Sequence, residues 1–209
     1  MKPVRIIIIA KAPLAGLAKT RLIPALGATG AAMLAKRMLM QTLSEAYKAA
    51  LGVVEFCVTP APGEPSWQDL SVPPGVNWSA QGEGDLGARM ARAACRAAKD
   101  GGQFMLIGTD CPAMNATQLR QAAAHLQDHD AVMIPTFDGG YALLGLQAFD
   151  ARLFADMPWS TDVVASETQR RVAQLQWSQK ILPALHDIDQ PDDLCWLPPD
   201  MALDSRLTL

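Results

Sequence analysis

The amino-acid sequence predicts an α/β fold of three layers, in which helices cover both faces of a mostly parallel, mixed β-sheet. The first observation is that apolar runs of strand length alternate with helical segments of about ten or more residues. The second is a link of four residues between the runs 130–136 and 141–146, which is too short for a parallel crossover and makes this pair antiparallel. The 209 residues contain neither an internal repeat nor a linker, so we expect a single domain over 1–209.

The composition and net charge indicate which classes of binding partner the sequence does not favour. Half of the residues are hydrophobic and the net charge is -3, so nothing favours nucleic acid or an anionic membrane as a partner. The 4 cysteines lack CxxC spacing, which is typical of reduced thiols in a cytoplasmic protein. The apolar run 4–10 is too short to span a membrane, and Lys11 follows it without a small-residue cleavage site. We therefore expect a cytoplasmic protein that binds small molecules; its oligomeric state is not predicted.

The elements of the N-terminal half follow from hydrophobic pattern and turn residues. The β-branched run 4–10 predicts a buried strand, and the Ala/Leu/Met-rich stretch 29–51 predicts a long helix. The run 53–59 predicts a second buried strand, and a short strand is expected at 76–79 after a proline-rich loop. An Ala/Arg-rich helix follows and ends near residue 100, where two glycines stop it. Three of its residues predict a solvated face: Arg89, Arg92 and Arg96.

The C-terminal half begins with a strong apolar strand at 103–108. Asn115 and Gln118 have the spacing of a capping box, which predicts a helix from there to about residue 128. The antiparallel pair of strands comes next. The later elements are expected in this order: a short helix at 149–154, a helix at 162–175 capped by Ser160, a strand at 180–185 and a helix that begins at Pro191.

The loop after the first strand is the most informative segment for function. It carries Lys11, Gly16, Lys19 and Arg21 with almost no acidic residue nearby. Backbone N–H groups and flexible cations beyond the carboxyl end of a parallel strand are how α/β proteins bind phosphates. The loop is not a Walker A motif, because Ala18 replaces the glycine before Lys19, and it lacks the three glycines of a Rossmann fingerprint. A basic loop that is merely solvated stays open as the alternative.

Carboxylates are expected at the same edge of the sheet. Asp110 follows the strand 103–108, and Asp138 lies in the link between the antiparallel strands. The carboxyl ends of the strands form the ligand crevice of an open α/β sheet, so cations and carboxylates should meet there. Cations would hold a diphosphate, and one or two carboxylates would hold a divalent cation that bridges its oxygens. The segment after the last strand adds three more polar residues: His186, Asp187 and Asp189.

Six sequence blocks carry a resemblance to a known family. In order they are AKAPLAGLAKTRL (10–22), QGEGDLGARM (81–90), IGTDCPAM (107–114), DGGYALLGL (138–146), PWSTDVV (158–164) and DIDQPDDL (187–194). Through them the sequence resembles the glycosyltransferase-like family formerly of unknown function, of the DUF2064 type. Some relatives are named radical-SAM/selenodomain-associated or arsenosugar-biosynthesis glycosyltransferases. The resemblance implies the nucleotide-diphospho-sugar transferase (GT-A) fold and a distant relationship to the molybdenum-cofactor and phospholactate guanylyltransferases.

The resemblance implies which residues bind the nucleotide. Lys19 and Arg21 would contact its phosphates, and Gln81 with Gly82 would lie by the base or ribose. The full set of nucleotide-binding residues implied in this way is Ala10, Lys11, Pro13, Gly16, Lys19, Arg21, Gln81 and Gly82.

The resemblance also implies a metal site and a pocket. Asp110 would take the place of the metal-binding aspartate, with Mg or Mn as the metal. Because Gly-Thr-Asp stands here instead of the fold's Asp-x-Asp, a second ligand must come from elsewhere, and Asp189 is our candidate. Asp138 is the candidate catalytic base. The residues implied to line the sugar or acceptor pocket are Gly139, Gly140, Tyr141 and Trp159.

Each of these polar or aromatic residues also has a structural interpretation, which stays open at this point. Asp110 could cap a turn, and Asp138 before two glycines could stabilise the turn that it begins. Asp189 could be a residue favoured by the dipole at the start of a helix. His186 could be a surface histidine, and Trp159 could pack at a helix start.

Three functions remain open from the sequence. The leading one is a metal-dependent transferase that moves a sugar from a nucleotide sugar to a small acceptor. The second is a nucleotidyltransferase, of the guanylyl or cytidylyl type, that releases pyrophosphate. The third is a non-catalytic nucleotide-binding protein. Residues 10–13 depart from the L-A-G-G-x-x-x-R-M-G pattern of the nucleotidyltransferases, which favours glycosyl transfer.

Overall fold

The structure, a computed structural model, describes residues 2–201 and arranges them around one seven-stranded sheet. Residue 1 and residues 202–209, which the predicted domain includes, lie outside the described residues. The strands are β1 (Val4–Lys11), β2 (Val54–Thr59), β3 (Asn77–Ala80), β4 (Gln103–Ile107), β5 (Ala131–Pro135), β6 (Tyr141–Leu146) and β7 (Gln179–Ile181). The α-helices are α1 (Ile23–Ala49), α2 (Leu86–Lys99), α3 (Ala116–His125) and α4 (Val164–Gln174).

The sheet is mixed and mostly parallel, as predicted, with the strand order β3-β2-β1-β4-β6-β5-β7. The only antiparallel pairs among the described strands are the two that contain β6. β6 pairs with β5, which the four-residue link predicts, with Ile134 opposite Leu143. It also pairs with β4, with Leu106 opposite Leu144, so β6 lies between two strands that run the other way.

Helices cover both faces of the sheet, which confirms the predicted three layers. Successive strand residues point to opposite faces, so Ile6 and Ile8 of β1 belong to one buried cluster and Ile7 belongs to the other. The first cluster includes side chains of α1 and α3, and the second includes side chains of α2 and α4. All three isoleucines are 0% exposed, and each such burial contributes about 2 kcal/mol. Among residues 2–201, no helix has both the length and the apolar character needed to cross a bilayer.

Capping residues and turn residues in the sequence predicted most helix ends to within a few residues. The capping box of Asn115 and Gln118 is present at the start of α3, as predicted. α1 begins at Ile23, with Pro24 in its first turn, where a missing N–H costs nothing. Gly27, with φ 69 and ψ 165, then breaks the helical geometry, so the long continuous part of the helix starts after Gly27, close to the predicted start at residue 29.

Two predictions for the C-terminal half are wrong in detail. Ser160 does not cap the helix that follows: it has φ 64, and α4 begins at Val164 without a side-chain cap. The segments expected as helices near 149–154 and from Pro191 form 3-10 helices only, Ala151–Leu153 and Pro191–Trp196.

The predicted solvated arginine face of α2 is wrong for Arg89 and Arg96, which are only partly exposed, whereas Arg92 is exposed. Arg96 forms an ion pair with Glu55, a β2 residue that is only 3% exposed. Arg5 Nη1 lies 3.1 Å from the second carboxylate oxygen of Glu55. A buried carboxylate needs such counter-ions, because an unpaired one costs several kcal/mol.

The other two arginines of α2 anchor the loop that precedes it. Arg92 donates a hydrogen bond to Glu83 O at 2.8 Å, and Arg89 donates one to Gly84 O at 2.9 Å. Gly82 in this loop has φ 73, and a Cβ there would lie 2.7 Å from Arg92 Nη1. The loop therefore has a defined conformation at the edge of the sheet where the site lies.

Candidate functional site

A cleft lies at the carboxyl edge of the sheet, where α/β folds bind their ligands. It has a smaller lobe of about 470 Å³ and a larger lobe of about 740 Å³, both within the usual range for small-molecule sites. The lobes adjoin, because they share six lining residues: Ile9, Arg21, Leu86, Thr109, Asp110 and Asp189. Cations and carboxylates from opposite ends of the chain thus meet at the boundary between the lobes.

The loop after β1 forms one wall of the smaller lobe. Lys11 Nζ donates to Leu17 O at 2.9 Å and so fastens the loop to itself. Gly16 has φ 78 and Lys19 has φ 47, which places both in the left-handed region. For a lysine this conformation costs on the order of 1 kcal/mol, and such strain concentrates at functional sites. Pro13 and Gly16 line neither lobe, so they shape the loop and do not face the cleft.

Two cations of this loop reach the two aspartates that the sequence suggested as metal ligands. Lys19 Nζ lies 2.6 Å from Asp110 Oδ1 and 3.6 Å from Asp189 Oδ1. Arg21 forms an ion pair with the other oxygen of Asp189. The side chain of Lys19 is only 8% exposed, whereas that of Asp110 is 55% exposed. The structure therefore brings these residues together, as predicted. Asp110 and Asp189 are already paired with the side chains of Lys19 and Arg21.

Gln81 lies at the back of the smaller lobe and is fixed by the sheet. Its Nε2 donates to Ala10 O at 2.8 Å and to Cys57 O at 3.1 Å, which joins the ends of β1 and β2. Its Oε1 is 3.4 Å from Arg89 Nη1, and only this acceptor oxygen remains for a ligand. Arg89 lines the smaller lobe and Gly82 does not. The sequence had not suggested Arg89, since arginines spaced along a helix usually face solvent.

Asp138 lies in the larger lobe, in the link between β5 and β6. Its Oδ1 accepts hydrogen bonds from Thr136 Oγ1 at 2.5 Å and from Gly140 N at 3.0 Å. Within residues 2–201, Oδ2 makes no hydrogen bond. The turn interpretation therefore accounts for one oxygen, while the other remains free to face a ligand in the lobe.

The two glycines of this link allow a close approach of backbone to backbone. Gly139 has φ 92, and a Cβ there would lie 2.0 Å from Asp162 O. Its carbonyl accepts a hydrogen bond from Ala165 N at 2.8 Å, in the first turn of α4. A Cβ on Gly140 would lie 3.0 Å from Thr136 Oγ1. Gly140 lines the larger lobe, whereas Gly139 holds the link against the start of α4.

Two aromatic residues line the apolar part of the larger lobe. Tyr141 is the first residue of β6, and burial raises the pKa of its phenol, so the hydroxyl stays neutral. Trp159 packs over Gly87 in α2, where a Cβ would lie 2.5 Å from the indole Nε1. The packing interpretation of Trp159 therefore holds, and its ring also lines the lobe.

Asp187 is a site residue that the sequence placed at the strand end without giving it a role. It lines the larger lobe, and Ile188 N, next to it, donates to Asp110 O at 2.9 Å. Burial, followed by the negative charges of Asp138, Asp193 and Asp110, raises the pKa of its carboxyl to about 6. The described ion pairs of the site engage Asp110 and Asp189 and leave Asp187 without a cation. Its position two residues before Asp189 was the available signal, because residues i and i+2 of an extended chain share a face.

His186 is not a free surface histidine. Its ring stacks between Phe137, at a centroid distance of 4.2 Å, and Trp196, at 3.8 Å. Phe137 precedes Asp138 and His186 precedes Asp187. The stack therefore holds the two chain segments that carry these carboxylates against each other.

Replacing Asp187 by asparagine is expected to stabilise the fold at neutral pH. Because the folded pKa of about 6 exceeds the unfolded value near 3.8, the wild-type carboxyl favours folding only while it is protonated. That contribution is complete below about pH 4 and is lost as the pH rises through about 6. With allowance for solvent screening, we expect the variant to gain about 1 to 2 kcal/mol at pH 8 relative to pH 4.

Urea unfolding of wild type and variant at pH 4 and pH 8, with a chelator present, measures this gain. An equal difference between the two proteins at both pH values would contradict the raised pKa. Asp128→Asn, which removes an exposed carboxylate far from the cleft, is the matched control.

The family model for DUF2064, described as an uncharacterized protein conserved in bacteria, matches residues 42–161. Among solved structures, the chain is similar to a candidate nucleotide-diphospho-sugar transferase from Desulfovibrio desulfuricans G20. The identity is 29% and the TM-score 0.84, over 98% of this chain and 90% of that one. No protein with a curated description matches the sequence significantly.

Two more distant structures share the fold. Rv0371c from Mycobacterium tuberculosis H37Rv is 16% identical with a TM-score of 0.56, over 91% of this chain and 95% of that one. CMP:2-keto-3-deoxy-manno-octonic acid synthetase, in complex with CTP, is 11% identical with a TM-score of 0.58, over 93% and 95%. A further structure of Rv0371c is a complex with manganese. At these identities the similarity establishes the fold alone.

Proposed function

The chain belongs to the DUF2064 family, and from its two-lobed cleft we propose that it is a metal-dependent transferase that moves a sugar from a nucleotide sugar to a small acceptor. The observation that carries the proposal is the meeting of Lys19, Arg21 and Asp110 at the boundary between the lobes. A nucleotide in one lobe and a transferred group in the other would place the diphosphate at that boundary. The similarity to a candidate nucleotide-diphospho-sugar transferase supports this class of substrate.

The smaller lobe is the proposed nucleotide site. Lys11, Lys19, Arg21 and Arg89 all line it, which gives a cationic wall suited to phosphates. Gln81 Oε1 is the acceptor that a base or ribose would meet, since its amide nitrogen is already used by two strand carbonyls. The net charge of the chain is -3, so a local cluster of cations in this lobe favours the binding of a small anion.

The carboxylates fit a divalent cation, Mg or Mn, held by two protein ligands and by phosphate oxygens. No set of three or more acidic, histidine or cysteine side chains within residues 2–201 is arranged to hold a metal by itself. Asp187 is the better second ligand beside Asp110, because its carboxyl lacks a cation while Asp189 is engaged by Arg21. When bound, the metal would neutralise charge on the departing diphosphate. The manganese complex of Rv0371c supports a metal of this kind.

The remaining groups of the larger lobe suit a direct displacement. Asp138 Oδ2 is free to accept the proton of an acceptor hydroxyl, and Thr136 and Gly140 hold its Oδ1 in place. Lys19 and Arg21 would stabilise the leaving nucleoside diphosphate. Tyr141 and Trp159 offer ring surface to a sugar, and Gly140 lets it approach the backbone.

Nucleotidyl transfer is the alternative, supported by the shared fold of the CTP-bound synthetase. In that reaction a phosphorylated substrate would attack a nucleoside triphosphate, and pyrophosphate would leave. The proline-containing loop, without the paired glycines of the nucleotidyltransferases, favours glycosyl transfer instead. A non-catalytic nucleotide-binding protein would need neither Asp138 nor Asp187. A cytoplasmic location remains part of the proposal, and the free thiols of Cys57, Cys95, Cys111 and Cys195 suit it.

Thermal shift with a panel of nucleotides and nucleotide sugars, with Mn or Mg and with chelator, tests ligand class. A ligand at about a hundred times its Kd should stabilise the fold by about 2.7 kcal/mol. Product assays then decide the reaction: nucleoside diphosphate release supports glycosyl transfer, and pyrophosphate release from a triphosphate overturns it. A panel without any shift would refute nucleotide binding altogether.

A further inference from the structure

Lys19 forms an ion pair with Asp110 and is also a proposed ligand of the diphosphate. Its ammonium lies 2.6 Å from Asp110 Oδ1, and its side chain is 8% exposed. The proposed function, on which this inference rests, needs Asp110 for a divalent cation and Lys19 for a phosphate. Lys19 contacts only one of the two oxygens of Asp110, but a divalent cation on either oxygen would lie within a few Å of the ammonium and repel it, so metal binding should weaken the pairing of Lys19 with Asp110.

The neighbouring contacts indicate that the side chain of Lys19 can move while its backbone stays in place. Lys11 fastens the loop at Leu17 O, and the carbonyl of Lys19 accepts a hydrogen bond from Leu22 N at 2.9 Å. Neither contact involves the ammonium of Lys19. Asp189, 3.6 Å from that ammonium, is already neutralised by Arg21 and is a weaker second partner.

We propose that Lys19 is an exchangeable counter-ion that makes the binding of a divalent cation and of a diphosphate mutually dependent. Without ligands, Lys19 neutralises Asp110. A divalent cation on Asp110 displaces the ammonium, which then has only Asp189, already paired with Arg21, as its counter-ion and is too buried to be left with so weak a partner. A diphosphate supplies a stronger anion. Its oxygens also complete the coordination of the metal, because no group of three or more candidate ligands is present among the described residues. The diphosphate thereby pairs the ammonium that the metal displaces, and the metal neutralises the carboxylate that Lys19 leaves when it binds the diphosphate.

The proposal makes a prediction of unusual sign for Lys19→Met. Removing the ammonium frees Asp110, so the variant should bind Mn²⁺ alone more tightly than wild type, by about tenfold, although it binds diphosphate more weakly. In wild type, inorganic pyrophosphate should raise Mn²⁺ affinity by about twentyfold, within the usual range of coupling between two sites, and the variant should lose this coupling. A lysine that only binds phosphate would leave the affinity for Mn²⁺ alone unchanged.

Titration of Mn²⁺ followed by electron paramagnetic resonance, with and without pyrophosphate and with a protein-free blank, measures these affinities. Lys36→Met is the matched control, because it removes the same charge from a residue that lines neither lobe, and its ammonium contacts a carbonyl, Asp69 O at 2.9 Å, not a carboxylate. It should change Mn²⁺ affinity less than twofold.

The outcomes separate this inference from the proposed function. Coupled binding in wild type together with tighter Mn²⁺ binding by Lys19→Met supports the exchange. Independent binding of the two ligands by wild type, or an unchanged or lower Mn²⁺ affinity in the variant, overturns it and leaves the transferase proposal intact. Wild type that binds neither ligand, alone or together, overturns both. Lys19→Gln repeats the test should the methionine variant fold poorly.

Discussion

Replacing Asp110 by asparagine is expected to lower the rate of transfer on the order of 10³-fold and to remove its metal dependence, while the protein stays folded. Asparagine keeps the size of the side chain but loses the anionic oxygen that a hard cation prefers. In the variant, Asp189 Oδ1 at 3.6 Å remains as the counter-ion of Lys19, whose side chain is only 8% exposed, so the loss of the closer partner should cost about 1 to 3 kcal/mol of stability without unfolding the protein. Initial rates at several Mn concentrations, beside circular dichroism of the variant, measure both effects.

The turn-cap interpretation of Asp110 predicts a different result. If the carboxylate were mainly structural, the variant would melt early while each folded molecule kept its affinity for nucleotide and metal. Among residues 2–201, the contact of this carboxylate is with Lys19, and it accepts no backbone N–H, so we expect little unfolding. Asp128→Asn removes the same charge from an exposed position outside the cleft and should retain full metal-dependent activity.

Local chemistry explains which parts of the fold were predictable. The apolar runs predicted the five central strands because these are buried on both faces, as the alternation of Ile6, Ile7 and Ile8 between the two clusters illustrates, whereas the edge strands β3 and β7 are largely exposed. The capping box at Asn115 works through residues three apart, so the sequence contains it whole. Pairing of β6 with β4 was not predictable, because it joins residues such as Leu106 and Leu144 that no local pattern links.

The same distinction applies to the site. Lys19 and Asp110 could be brought together from sequence because the carboxyl ends of neighbouring parallel strands share an edge. The role of Arg96 could not, since it depends on a charge buried in another element, Glu55, that is 41 residues away. Asp187 was underrated for a similar reason. Its raised pKa comes from burial and from carboxylates that include Asp138 and Asp110, and these two lie in loops far from Asp187 in the sequence.

Replacing Gly139 by alanine is expected to destabilise the protein by about 3 kcal/mol or more and to displace Asp138. An alanine Cβ would lie 2.0 Å from Asp162 O and 2.4 Å from Asp162 Cα, and this backbone cannot yield as the end of a flexible side chain can. Either the link or the start of α4 must therefore move. With about 2 to 4 °C lost for each kcal/mol in a chain of this size, Tm should fall by roughly 6 to 12 °C.

Gly75→Ala separates the steric overlap from the cost of the backbone conformation. Gly75 has φ 87, close to the 92 of Gly139, but a Cβ there would have nothing within 4 Å. Its replacement should cost only about 1 kcal/mol, the penalty for an L-residue in the left-handed region. Thermal unfolding of the two variants makes the comparison, and equal losses in Tm would mean that the contact of Gly139 with Asp162 does not hold the link in place. If the contact does hold it, Gly139→Ala should also lose transfer activity at temperatures where it is still folded, because Asp138 then no longer faces the larger lobe as it does in the native link.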